Sequence, residues 1–243
     1  MTDLQAGKHV RRLLEAGVKP SPALTRQVLG GGAAVVTPLI TLACEMDLLY
    51  DDAPACYAPI HALRLLGELC PAEAISPLVR AAAYPFEPTN ERDPADVWLS
   101  DVAMILGRFG APAIAALQEL LDNPELPETA RAIAIDALAF TAATSPDARP
   151  ALIADLRTRL AATEDPVRSA EIALALGALT AGEAYQEIMS RYSTKTIDVE
   201  RAPAPSVRQM LLAKTNPRFG CVRHTLDERY AQHGPWAAAA GAA

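Results

Sequence analysis

The stretch YAPIHALRLLGELCPAEAISPLV, residues 57–79, reads as two apolar helices with a turn over residues 67–71. Its apolar residues recur at helical spacing, and Gly67 and Pro71 mark where that periodicity breaks. The same unit returns as VAMILGRFGAPAIAALQEL at residues 102–120. Working outward from these two gives four first-helix cores: HALRLLG (61–67), DVAMILG (101–107), IAIDALA (133–139) and EIALALG (171–177). Each ends on a small residue, Gly67, Gly107, Ala139 or Gly177, at spacings of 40, 32 and 38 residues. A small residue there suits a close approach of two helices or a tight turn.

A shorter second helix follows each core. Its apolar pair is Ile75 with Leu78, Ile114 with Leu117, Ile153 with Leu156, and Tyr185 with Ile188. The i, i+3 spacing puts each pair on one helix face. A fainter copy precedes them, with residues 30–32 as the break and Val36 with Leu39 as the pair. Helix entries agree with this phasing: Asp165 reads as an N-cap with Pro166 at the first helical position. The segments PELPETARAIAIDAL and NERDPADVWLSDVAM repeat the proline-then-acid entry, and Pro38, Pro77, Pro112 and Pro150 fall at the first turns of second helices.

A helix pair of this kind has too wide an apolar face to bury alone, so neighbouring pairs must stack. The expected fold is all-α: a right-handed α-solenoid of about five helix pairs, near 21–49, 54–83, 94–122, 127–161 and 165–192. An N-terminal helix is expected within residues 1–20. Residues 193–243 are expected to supply a polar connector, a capping helix and a flexible tail, GPWAAAAGAA. The cap would pack Val207, Met210 and Leu211 on the last pair.

The segment DPVRSAEIALALGALTAGEAYQEIM resembles a HEAT unit of the short bacterial type also found in phycobiliprotein lyases. The match lies in Asp165, Val167, Arg168, Ala170, Ala173, Leu176 and Gly177, followed by Ala184 and Ile188. It extends more weakly over roughly residues 21–192. The resemblance implies an α-solenoid, with protein–protein binding as its commonest use and the Asp and Arg tying neighbouring repeats together. A likeness of fold carries no reaction with it.

Composition fits packed helices. Of 243 residues 51% are hydrophobic but only 5% aromatic, so Ala and Leu must carry the core. No apolar run reaches the roughly 18 residues of a membrane span, and the N-terminus lacks a secretory pattern. Cys44, Cys56, Cys70 and Cys221 follow no disulfide framework, which suits a reducing, cytoplasmic setting. Residues 31–192 carry 10 Arg, no Lys and 23 acids, a net −13, while each flanking end is +3. Such an acidic middle disfavours nucleic acid and favours a partner of basic character.

Three kinds of chemistry find little support. Deoxyhypusine hydroxylases, which resemble HEAT arrays, bind iron through His-Glu pairs, but here the histidines precede Val10, Ala62, Thr225 and Gly234. Cys221, His224 and His233 lack the second close ligand pair of a zinc site. LGGGAA at 29–34 lacks the Lys-Ser/Thr of a phosphate loop. No cofactor, metal or catalytic residue is therefore expected, nor the basic, aromatic-lined face of a HEAT-like DNA glycosylase. His61 is expected at an edge or on the surface, with a hydrogen-bond partner.

The leading expectation is a non-enzymatic scaffold that holds a protein or peptide along the second helices. Arg80, Glu119, Asp155 and Glu187 are the candidate exposed contacts. The long connector AYPFEPTNERDPADVW, 83–98, adds Tyr84, Phe86 and Trp98 as partly exposed aromatics. The alternative is an enzyme or enzyme subunit of the bilin-lyase type, acting on a tetrapyrrole-bearing protein. It would need Arg, His and aromatic side chains clustered around a large anionic ligand, and the sequence displays no such cluster.

Overall fold

The computed structural model describes residues 3–87, 92–215 and 217–236. It is all-helical, with thirteen α-helices and no strand among the described residues. They are α1 (Asp3–Arg11), α2 (Pro22–Leu29), α3 (Val36–Ala43), α4 (Ala58–Leu69), α5 (Ile75–Ala81), α6 (Pro94–Arg108) and α7 (Ile114–Asp122). There follow α8 (Glu128–Thr144), α9 (Arg149–Ala162), α10 (Pro166–Ala178), α11 (Tyr185–Ser193), α12 (Ala204–Leu212) and α13 (Leu226–Gln232).

Helix starts follow the local chemistry. Ser21 caps α2 by accepting from the Leu24 N–H at 3.2 Å, with Pro22 at the first helical position. Asp165 does the same for α10 from Val167 N–H at 2.9 Å, ahead of Pro166. These caps satisfy amides that the helix itself leaves without acceptors. Pro38, Pro77 and Pro150 sit in the first turns of α3, α5 and α9, and Pro112 sits in the 3-10 turn leading into α7. None of them breaks a helix interior.

Alternate helices form one continuous row: α4 packs on α6, α6 on α8, α8 on α10 and α10 on α12. The small residues at the ends of the sequence cores lie where neighbours in this row touch. A Cβ on Gly67 would come within 3.1 Å of Ile105, and one on Gly177 within 3.3 Å of Met210. On Gly107 it would lie 2.3 Å from the Cβ of Phe140, well inside contact distance. Glycine is therefore required at residue 107 by the neighbouring helix, not by its own backbone.

The chain reverses sharply after the row helices: α6 and the segment Ala111–Asp122 are bent by 115°, and α2 and Gly32–Ala43 by 109°. Three reversals share a residue in the left-handed region, Cys70 (φ 46°), Gly110 (φ 68°) and Thr180 (φ 53°), each three residues past the landmark glycine. The α8–α9 connection departs from this plan. Residue 139 is alanine, and α8 runs on through Phe140–Thr144 before turning at residues 145–148. A β-branched residue with positive φ is strained by roughly 1–2 kcal/mol. Thr180→Gly should thus raise stability by about 0.5–1 kcal/mol in urea denaturation, the left-handed relief exceeding the extra entropy of glycine. An unchanged or lower midpoint would show that the Thr180 side chain compensates its backbone.

The core is the Ala- and Leu-rich interior that composition implies. Val36, Leu39, Ile75, Leu78, Leu117, Ile153, Leu156 and Ile188 are buried, while Ile114 and Tyr185 are only partly so. At the far end, Val207 and Leu211 of α12 are buried and Met210 covers Gly177, as expected of a capping helix. Among the described residues no single helix is long and apolar enough to cross a membrane.

One expectation needs correction. The chain beyond α11 is not simply a cap followed by a loose tail. Residues 198–236 turn back over the helix row, and only residues 237–243 of the expected flexible tail lie outside the described residues. Arg201 reaches Glu128 on α8 and Glu171 on α10, at 3.1 and 2.8 Å. Phe219 packs edge-on against Phe140 at 5.1 Å, and Tyr57 at the start of α4 donates to the Trp236 carbonyl at 3.3 Å.

Candidate functional site

The returning segment and the row helices enclose a buried polar cluster. Its chemistry comes from charged residues placed inside apolar helix cores. His61 and Asp101 stand six residues before the landmarks of α4 and α6, and Arg64 stands three before that of α4. Each turns toward the row face that the C-terminal segment covers. All three are buried, as are Arg229 and Tyr230 of α13. Burial of charge on this scale requires pairing.

The pairing is specific. Arg64 Nε donates to Asp101 Oδ2 at 2.6 Å, with both side chains almost fully enclosed. The other guanidinium nitrogens donate to consecutive main-chain carbonyls of the returning segment, Gly234 and His233. Arg64 also lies 4.6 Å from the centre of the Tyr230 ring, a cation–π contact. Burial pushes the Asp101 carboxyl above its ordinary range, and Arg64 opposes that shift. Arg229 bonds Glu68 at 3.1 Å and the His224 carbonyl at 3.2 Å.

His61 joins three parts of the chain. Its Nε2 lies 2.7 Å from the Gly17 carbonyl and must carry the proton, so Nδ1 accepts from the Tyr230 hydroxyl at 2.9 Å. The expected edge or surface histidine is instead completely buried, because α13 and the α1–α2 connection close over it. Burial lowers its pKa to about 4, with the Gly17 hydrogen bond opposing and Arg64 adding to the fall. Between pH 6.5 and 4 the unfolded chain therefore takes up a proton that the folded chain refuses, and stability falls as pH falls. Burial shifts His233 in the same direction. Glu171, raised to about 7, takes up a proton on folding over much of the same window and acts in the opposite sense, so the His61 contribution is read as a difference between proteins. Urea midpoints of His61→Gln should fall less, or rise more, on acidification than those of the unaltered chain, by a slope approaching about one proton; equal slopes would place the titration elsewhere.

The residues singled out from sequence divide differently. Trp98 is not an exposed aromatic: it is fully buried, and its indole N–H donates to the Ala43 carbonyl at 3.0 Å. The expectation fails because residues 94–98 belong to the first turns of α6, packed on α3 and the chain that follows it, not to the connector. Phe86 is half-buried, 5.6 Å from the Trp98 ring, and Tyr84 stacks edge-on to Phe86 while donating to Asp47 at 2.7 Å. Both thus hold the connector down. Residues 88–91 of that connector lie outside the described residues.

On the helices between the row members, Arg80 and Glu119 are exposed as expected. Asp155 is only half-buried and takes Arg159 at 2.9 Å, while Arg159 also pairs with Asp122 of α7. Glu187 is exposed but tied across helices to Arg157. These links join α7, α9 and α11, and Asp155 also accepts from Gln118 of α7 at 3.4 Å. Glu187 keeps the exposure expected of it, whereas Asp155 is less open than sequence spacing suggested. Arg168 lies beside Asp122 in the same neighbourhood.

His224 and His233 stack with ring centres 5.7 Å apart, but no group of three or more His, Cys, Asp or Glu residues is arranged to hold a metal among the described residues. A groove of about 530 Å³ lies between α1 and α3, lined by Val10, Leu14, Pro38 and Leu42, with Arg11 and Glu45 at its charged positions. Glu171 on α10 is raised to about 7, chiefly by burial and then by Glu128, Asp136 and Asp165, against the pull of Arg201. The row face is thus acidic at its α8–α10 end and takes a cation there from the returning chain.

The sequence missed Arg64, Asp101, Arg229 and Tyr230 as a group. A signal was present: charged residues at matching registers of otherwise apolar cores mark a face that something must cover. No family model matches the chain, and neither the curated proteins nor the solved structures contain a match.

Proposed function

We propose that the protein is a non-enzymatic scaffold that binds polypeptide on its helical surface, built as a right-handed α-solenoid of five HEAT-like pairs. The pairs are α2–α3, α4–α5, α6–α7, α8–α9 and α10–α11, with α12 closing the row. One observation carries the reading. The row face already takes polypeptide along much of its length, through Arg201, Phe219, Tyr230 and the Gly234 carbonyl. Arg64 reads two main-chain carbonyls there, a contact any extended peptide could supply.

The acidic array favours a basic partner, and a cytoplasmic location accompanies that reading. Selection of a displayed peptide library on the immobilised full chain tests it. Enrichment should converge on cationic peptides containing an aromatic. No convergence above an unrelated helical protein would overturn the proposal. Titration with a bilin bears on the lyase alternative, and an unchanged bilin spectrum would remove it.

A further inference from the structure

We propose that residues 217–236 are a displaceable internal ligand of the row face, and that the partner replacing them is a basic peptide bearing an arginine beside an aromatic. The inference rests on the polypeptide-binding reading and names the partner class for that face.

Three observations converge. First, the segment is poorly satisfied where it is most buried. Of five buried side-chain nitrogen atoms without a hydrogen-bond partner among the described residues, four belong to His224, Arg229 and His233. Arg229 is wholly buried yet leaves Nε and Nη1 unpaired, facing one partly exposed carboxylate, Glu68, that it shares with Arg108. Unpaired buried donors are costly, and undocking returns them to water. A segment selected only to complete the core would more often have these groups paired or replaced by apolar ones.

Second, the far end of the row is closed by another element. Helix α12 completes the row through Val207, Met210 and Leu211, and the link that follows it includes exposed Lys214 and Thr215. Third, the charges are complementary. Residues 217–236 hold three arginines against Asp227 and Glu228, a net +1, facing an array whose residues 31–192 are net −13. The sign of the segment is thus the one that the array's composition favours.

The docked geometry defines what a competitor must offer. An arginine meets Glu68, an adjacent aromatic hydroxyl meets His61 Nδ1, and an extended stretch three to four residues on presents carbonyls to Arg64. Tethering gives the internal copy an advantage, since a short linker raises the local concentration of its own ligand to the millimolar range. A partner therefore binds well only when it is better satisfied than the segment it replaces or when the tether is cut.

The test uses the full chain with a protease site inserted between Lys214 and Thr215, and a fluorescent peptide of residues 217–236 as the probe. After cleavage, the peptide should exchange into the face, with binding at least about 100-fold tighter than to the uncut chain. Peptides carrying Arg229→Ala or Tyr230→Ala should bind at least about tenfold more weakly, as for buried anchors. Failure to exchange over days, or binding of the two altered peptides equal to that of the unaltered one, overturns the inference. Should the cut chain precipitate, hydrogen exchange on the uncut chain decides. Amides of α13 exchanging well ahead of those in α4, α6 and α8 support displacement, and exchange in step with them overturns it. Failed exchange alongside successful peptide selection on another surface would remove this inference and leave the scaffold reading intact.

Discussion

Arg64→Met is expected to lower stability by about 4 kcal/mol, the largest effect of any single substitution considered. Removing the guanidinium leaves Asp101 buried without its cation and strips the Gly234 and His233 carbonyls of their donor. Breaking a buried pair from one side costs roughly 3–5 kcal/mol, while replacing both members by apolar groups costs much less. The double variant Arg64→Met, Asp101→Leu should accordingly recover a large part of the loss. Urea denaturation of the two single variants and the double variant gives the coupling directly. Additive losses, or a loss below about 1 kcal/mol for Arg64→Met, would show that the pair is not enclosed as described.

Gly107→Val should cost about 3 kcal/mol or more. A Cβ at this position would stand 2.3 Å from the Cβ of Phe140, with Phe140 backbone atoms at 3.1 and 3.2 Å. The obstacle is backbone and a side-chain root, so no rotamer change relieves it, and α6 and α8 must separate. Overpacking of a closed core costs roughly 1–3 kcal/mol when neighbours can adjust, and here they cannot. Gly107→Ala should lose a substantial fraction of the same amount. In contrast, alanine at Gly7, which has open space within 4 Å, should leave the thermal midpoint nearly unchanged. A stable Gly107→Val protein would mean the row contact is absent in solution.

Both substitutions test residues whose importance was unequally visible. Gly107 could be found by aligning the repeated cores, because a small residue in phase is a local signature of close packing. Arg64 stands in the same alignment, but nothing nearby in the sequence accounts for its charge. Its partners are 37 residues away on α6 and about 170 residues away in the returning segment. Trp98 failed for the opposite reason. Its proline- and acid-rich surroundings read as connector, whereas Pro94 begins α6 and places the indole inside.

What the sequence determined by itself was whatever is local or periodic: the all-α class, the helix start at Asp165, the small residues at the row contacts, and the acidic middle between basic ends. These follow from the 3.6-residue period, capping chemistry and charge counting, each contained within a few turns of chain. Only the tertiary structure decided where residues 217–236 go, and hence that His61, Arg64 and Asp101 are buried. The physical reason is that a helix face shows which residues need covering but not which distant segment covers them. That choice depends on long-range charge complementarity and on the backbone carbonyls of residues 233 and 234 arriving within reach of Arg64.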